Sequence, residues 1–115
     1  MTPYKQGDVI LIPFPFTDFS TFKQRPAVII SASRFNSSTG DVIIAAITSH
    51  IHTKSKFDYV LNSREQKTGG LPLPSAVKVG KIITLDQRLI RKRIGHLPKE
   101  TIQRLTRQLQ GVIGV

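Results

Sequence analysis

The sequence predicts a mainly β domain, a small barrel or sandwich finished by one C-terminal helix. Short apolar runs recur through the first two-thirds of the chain with turn residues between them. Near the C-terminus the apolar positions switch to helical spacing. With 115 residues and no cysteine, the chain reads as one domain, 1–115, large enough to bury a core without disulfides.

The elements follow in order. "DVILIPF" after Gly7 is the first strand. "AVIISA" follows Pro26, which biases Arg25 toward extended backbone. "DVIIAAIT" follows the turn signal "SSTG". "KFDYVLN" alternates, which sets Phe57, Tyr59 and Leu61 on one face. The stretch "KTGGLPLPS" then leads into the strand "AVKVGKIITL". "TLDQRL" suggests a helical turn capped by Thr84, and "IRKRIGHL" a last short strand. The closing helix begins at Pro98, carries Ile102, Leu105, Leu109 and Val112 at helical spacing, and is expected to end at Gly111. Glu100 suits its N-terminus and Arg107 its other end. Its apolar stripe must pack on the sheet or on a second subunit, as must Val112, Ile113 and Val115.

Charge narrows the function. The formal net charge is +10, which draws the chain to polyanions: nucleic acid, an acidic protein or an anionic membrane surface. From Lys78 to Arg107 only Asp86 and Glu100 oppose the basic residues. The N-terminal apolar run is short and broken by prolines, unlike a signal peptide. No stretch nears the ~20 apolar residues of a membrane span, so a cytoplasmic protein with no membrane partner is expected.

Cofactor chemistry finds little footing. His50 and His52 share a face if extended, with no third ligand evident, so no metal and no other cofactor is expected. There is no glycine-rich phosphate loop and no legible base beside a serine nucleophile. Cleavage of RNA asks for less, because the substrate carries its own nucleophile, the 2′-hydroxyl. An arginine fork matches two phosphate oxygens, and a threonine or serine hydroxyl adds a compact donor. Arg25 begins one strand, and Thr48 and Ser49 end the next. If those strands are antiparallel neighbours, Arg25 and Thr48 converge on one rim. The loop before Arg25 holds Phe14, Phe16, Phe19 and Phe22. Phe14 reads as core, and Phe19 and Phe22 as platforms for unpaired bases.

In this order, "GDVILIPFPFTD", "KQRPAVIIS", "DVIIAAITS" and "LPSAVKVGKIITLDQRLIRKRIGHL" resemble the MazF/PemK toxins of bacterial toxin–antitoxin systems. The resemblance spans Gly7 to the C-terminus. It implies an SH3-like barrel with a C-terminal helix, forming a homodimer. It implies a metal-independent endoribonuclease that cuts single-stranded RNA at short motifs, leaving a 2′,3′-cyclic phosphate and a 5′-hydroxyl. A cognate antitoxin with an acidic, disordered segment would block the RNA groove, and the toxin–antitoxin complex would bind operator DNA. The family's catalytic arginine and threonine fall on Arg25 and Thr48, with Ser49 beside them. Its RNA-contacting loop falls on Phe16, Thr17, Phe19, Ser20, Lys23 and Gln24. His50, which follows Thr48 and Ser49, is a candidate general base and is counted with the RNA-binding residues. Some members add a histidine, an arginine and an aspartate. That arginine falls near Lys78, which suits phosphate, and the aspartate near Gly80, which cannot act as acid or base. Two other readings share the charge: a non-catalytic single-strand-binding barrel, and a domain that holds an acidic peptide.

Overall fold

The computed structural model describes residues 4–13, 24–51 and 56–114. Six strands form one antiparallel sheet: β1 (Asp8–Pro13), β2 (Gln24–Ile29), β3 (Asp41–Thr48), β4 (Asp58–Val60), β5 (Ala76–Asp86) and β6 (Lys92–His96). The spatial order is β4-β5-β3-β2-β1-β6. Among the described residues the sheet stays open, with β4 and β6 at its ends, rather than closing into a full barrel.

Strict alternation of side chains gives the sheet two apolar faces. Val9, Val28, Ala45 and Val77 point to one face, where they meet Leu61, Leu97, Ile102 and Leu105. Ile10, Ile12, Ala27, Ile29, Val42 and Ile44 point to the other, joined by Ile90. A β-bulge adds bend to β5. Lys78 sits opposite Ala46 and Ile82 opposite Ala45, so Val79, Gly80 and Lys81 have no partner across the ladder.

Among the described residues, three helices decorate this sheet: α1 (Ser33–Thr39), α2 (Ser63–Thr68) and α3 (Lys99–Ile113). Sequence reading missed the first two. The "SSTG" turn signal is the end of α1, closed by Gly40 at φ 75. Its residues are poor helix formers, but buried Asn36 pins it by accepting from the Ser31 hydroxyl. α2 opens with a capping box between Asn62 and Glu65. Behind it, Gly70 at φ 70 lies so close to β6 that a Cβ would fall 1.9 Å from the Ile94 carbonyl oxygen.

Several boundaries shift from the expectations. α3 runs through Gly111 and is capped by Gly114 at φ 87, so Arg107 lies mid-helix instead of in the last turn. Its buried residues are Thr101, Ile102 and Leu105, while Val112 and Ile113 are exposed. Thr84 belongs to β5, opposite Ile43. The short 3-10 turn Gln87–Leu89 is capped instead by Asp86, which accepts from the Arg88 N–H. Leu61 and Tyr59 share the first core face, as alternation predicts, but Phe57 lies outside the three-residue β4 and is exposed.

Candidate nucleic-acid interface

The site is built by register. β2 and β3 pair as Ala27–Ala46, Val28–Ala45 and Ile29–Ile44. Continued by two residues, the same register sets Arg25 opposite Thr48. Pro26, with no N–H to give, marks the end of the hydrogen-bonded ladder. Directly opposed residues have Cβ atoms about 5 Å apart and share a face. Arg25 is exposed and Thr48 half-buried. The other flank of Arg25 is Ile12 on β1.

Thr48 lies opposite Ala76, which lies opposite Val60. One step inward on the same face run Ala27, Ala46, Lys78 and Asp58. Lys78 Nζ stands 3.7 Å from Asp58 Oδ2. The His50 backbone N–H donates to Thr48 Oγ1 at 3.1 Å. With that lone pair occupied, the hydroxyl proton of Thr48 is left to donate elsewhere. Ser49 sits in the bend after β3 and is exposed, as is His50.

Two other polar clusters lie away from this rim. At the opposite end of the sheet, buried Asp8 meets His96 Nδ1 at 2.9 Å and Arg93 Nη1 at 3.6 Å. His96 also lines a cleft of about 490 Å³ with Lys5, Lys99 and Ile102. On the helical face, Glu65 accepts from the Tyr59 hydroxyl at 2.8 Å, from the Thr101 hydroxyl, and from the Asn62 N–H at 2.9 Å. Burial pushes the Glu65 carboxyl up, but those three donors and nearby Arg104 outweigh it and hold it below the ordinary range. Burial, aided by Glu65, raises the Tyr59 phenol against the pull of Arg104. No group of three or more metal-ligating side chains occurs among the described residues. No helix among them is long and apolar enough to cross a membrane.

A family model described as PemK-like, MazF-like toxin of type II toxin–antitoxin system matches residues 5–113. The chain belongs to this toxin family. No curated protein sequence matches the toxin. Solved structures match its fold closely. A mycobacterial endoribonuclease in complex with its cognate antitoxin superposes at a TM-score of 0.79, with 18% identity over 97% of this chain and 96% of that one. MazF from Deinococcus radiodurans gives 0.78, with 19% identity over the full length of both chains. The Mycobacterium tuberculosis toxin MazF-mt6 gives 0.75, with 17% identity over 94% of this toxin and 97% of that chain. At such identities the likeness establishes the fold.

Of the residues singled out from the toxin's sequence, the structure brings Arg25, Thr48 and Lys78 to one face of one end of the sheet. Gln24 is exposed at the start of β2, opposite Pro13. Phe14, Phe16, Thr17, Phe19, Ser20, Phe22 and Lys23, together with His52 and Val115, lie outside the described residues. Sequence reading missed Asp58, whose register partner is Lys78. Its signal was present in the alternation of "KFDYVLN", which puts Asp58 opposite in face to Tyr59 and Leu61.

Proposed function

We propose that this toxin is a sequence-specific, metal-independent endoribonuclease that cleaves single-stranded RNA, leaving a 2′,3′-cyclic phosphate and a 5′-hydroxyl. The observation that carries the reading is the antiparallel β2–β3 register, which, continued two residues, faces Arg25 with Thr48 at an exposed sheet end, in a chain of this family. The 2′-oxygen attacks phosphorus and passes its proton to solvent water. The bond to the 5′-oxygen breaks, and that oxygen takes a proton back from solvent. Arg25 donates to the non-bridging oxygens as negative charge builds on them. Its guanidinium stays protonated throughout, so its role is electrostatic. Thr48 donates its hydroxyl proton to the same phosphate, its geometry fixed by the His50 N–H, and Ser49 assists from the adjoining bend. The Phe16–Gln24 segment, His50 and Lys78 hold the flanking nucleotides.

The partner reading follows the same surface. An antitoxin with an acidic disordered segment suits a chain of net charge +10, and relatives of this fold are solved with a cognate antitoxin. We assign the toxin to a cytoplasmic homodimer whose antitoxin complex binds operator DNA. The test of the catalytic reading is cleavage of a long unstructured RNA in EDTA by the wild type and by Arg25→Ala. Wild-type cutting with cyclic 3′ ends, absent from the variant, is expected. Full cleavage by a folded Arg25→Ala protein would refute the assignment. RNA bound yet intact across several unrelated sequences would favour the non-catalytic binder.

A further inference from the structure

At the end of the sheet far from Arg25 and Thr48, one cleft gathers positive charge. A single backbone bond organises it: the Leu97 N–H donates to the Gly7 carbonyl at 2.9 Å. Lys5 stands two residues before Gly7, and Lys99 two after Leu97. Both lysines line the cleft, and no carboxylate is among its lining residues. Neither ammonium group has an ion pair among the described residues. Two like charges facing one cleft repel, and an anion between them removes that repulsion.

Buried Asp8 fixes a third group. Its carboxylate accepts from the Lys5 N–H at 2.9 Å and meets His96 Nδ1 at 2.9 Å, while Arg93 offsets its charge from 3.6 Å. A carboxylate only accepts, so Nδ1 carries the proton and Nε2 is the ring's remaining polar atom. Nε2 has no protein partner among the described residues. Gly7 makes room for the ring: a Cβ there would lie 3.0 Å from His96 Cε1 and 3.3 Å from Nε2.

We infer that this cleft binds a phosphate dianion, either inorganic phosphate or the end of a small phosphomonoester such as a nucleoside monophosphate. Charge favours phosphate over carboxylate. A phosphomonoester carries about −1.5 to −2 at pH 7, which matches two lysines, whereas a carboxylate leaves one lysine unmatched. Nε2 bonds to the phosphate in either protonation state. A protonated ring donates, and a neutral ring accepts from the phosphate's own hydroxyl, whose pKa is about 6. Ser33 lines the same cleft with a further hydroxyl. The volume of about 490 Å³ leaves space for an organic body, with Leu97 and Ile102 as its apolar side. Asp8 lies about 13 Å along β1 from Ile12, the strand neighbour of Arg25, so the cleft is separate from the RNA rim.

The test is calorimetric titration of the full chain with adenosine 5′-monophosphate, adenosine, inorganic phosphate and hexaglutamate. The monophosphate is expected to bind at least tenfold tighter than adenosine. Lys5→Ala and Lys99→Ala should each weaken it about tenfold, the loss of one charge-assisted hydrogen bond. Both lysines are exposed, so these variants keep the fold. Arg25→Ala should leave the affinity unchanged. Inorganic phosphate binding as tightly as the monophosphate would identify free phosphate as the ligand, and weaker binding would identify a phosphomonoester. Monophosphate and adenosine binding alike, no binding of either phosphate, or an affinity lost in Arg25→Ala and kept in Lys99→Ala would overturn the inference. So would hexaglutamate binding tighter than both phosphates, which would make the cleft a dock for an acidic peptide. No RNA enters the titration, so its result is independent of the nuclease test.

Discussion

Glu65 and Asp58 are both carboxylates beside a cation, and they illustrate two ways to place an acid. Glu65 is 3% exposed and takes hydrogen bonds from three elements: Tyr59 on β4, the Asn62 cap of α2 and Thr101 on α3. Arg104 adds charge at 3.9 Å. Such a group ties elements together and has little capacity left for a ligand. Asp58 lies on β4, on the face opposite Tyr59, with Lys78 Nζ 3.7 Å from its carboxylate. Saturation marks Glu65 as structural. Asp58 lies instead on the face of Arg25 and Thr48.

The sharpest way to break that contrast is to remove one member from each region. Arg25→Ala is expected to lower RNA cleavage about 10²–10³-fold, the usual loss of one donor to developing negative charge. Its melting temperature should stay that of the wild type, because Arg25 is exposed. Glu65→Ala should do the converse. It strands the buried Thr101 hydroxyl and the Tyr59 phenol, a cost of about 3 kcal/mol, or roughly 10 °C in melting temperature. Calorimetry on both variants, with cleavage assays alongside, checks the pair. A large loss of stability in Arg25→Ala would dissolve the distinction.

A smaller effect sharpens the same comparison through pH. The Glu65 carboxyl is held below its ordinary value of 4.5 in the fold. Below that value the unfolded chain binds the proton first, so stability drops as pH falls toward the folded pKa. Above 4.5 the contribution is fully present. Denaturant titrations between pH 7 and pH 3 should show an acid-side loss in the wild type that is reduced in Glu65→Gln.

Much of this division was legible in the sequence. β3 matches the run "DVIIAAIT" residue for residue, because an unbroken apolar run after a glycine fixes its start and extent. Arg25 and Thr48 were also legible as a pair, since sequential antiparallel strands bring the start of one to the end of the next. The Glu65 knot was not. Its local cue, Asn62 followed three residues on by Glu65, is a capping box that lay hidden between a strand signal and a Gly/Pro-rich stretch. Its other partner, Thr101, lies 36 residues away, and only tertiary packing brings it close. The α1 helix was illegible for a related reason: Ser, Asn and Thr favour turns locally, and it takes buried contacts of Asn36 to overrule them.

Salt dependence gives the smallest effect and the finest discrimination. Each phosphate neutralised on a single strand contributes about −0.7 to the slope of log affinity against log salt. Arg25 engages a phosphate directly, so Arg25→Ala should make the slope shallower by about that amount. Lys78 is already neutralised by Asp58 at 3.7 Å. Its ammonium therefore releases little counterion when RNA arrives. Lys78→Ala should leave the slope almost unchanged. Titrations across a range of salt concentrations with uncleavable oligonucleotides measure both. A slope change in Lys78→Ala as large as that of Arg25→Ala would mean that RNA pulls the lysine off its carboxylate onto a phosphate, and the two regions of the binding face would then differ only in degree.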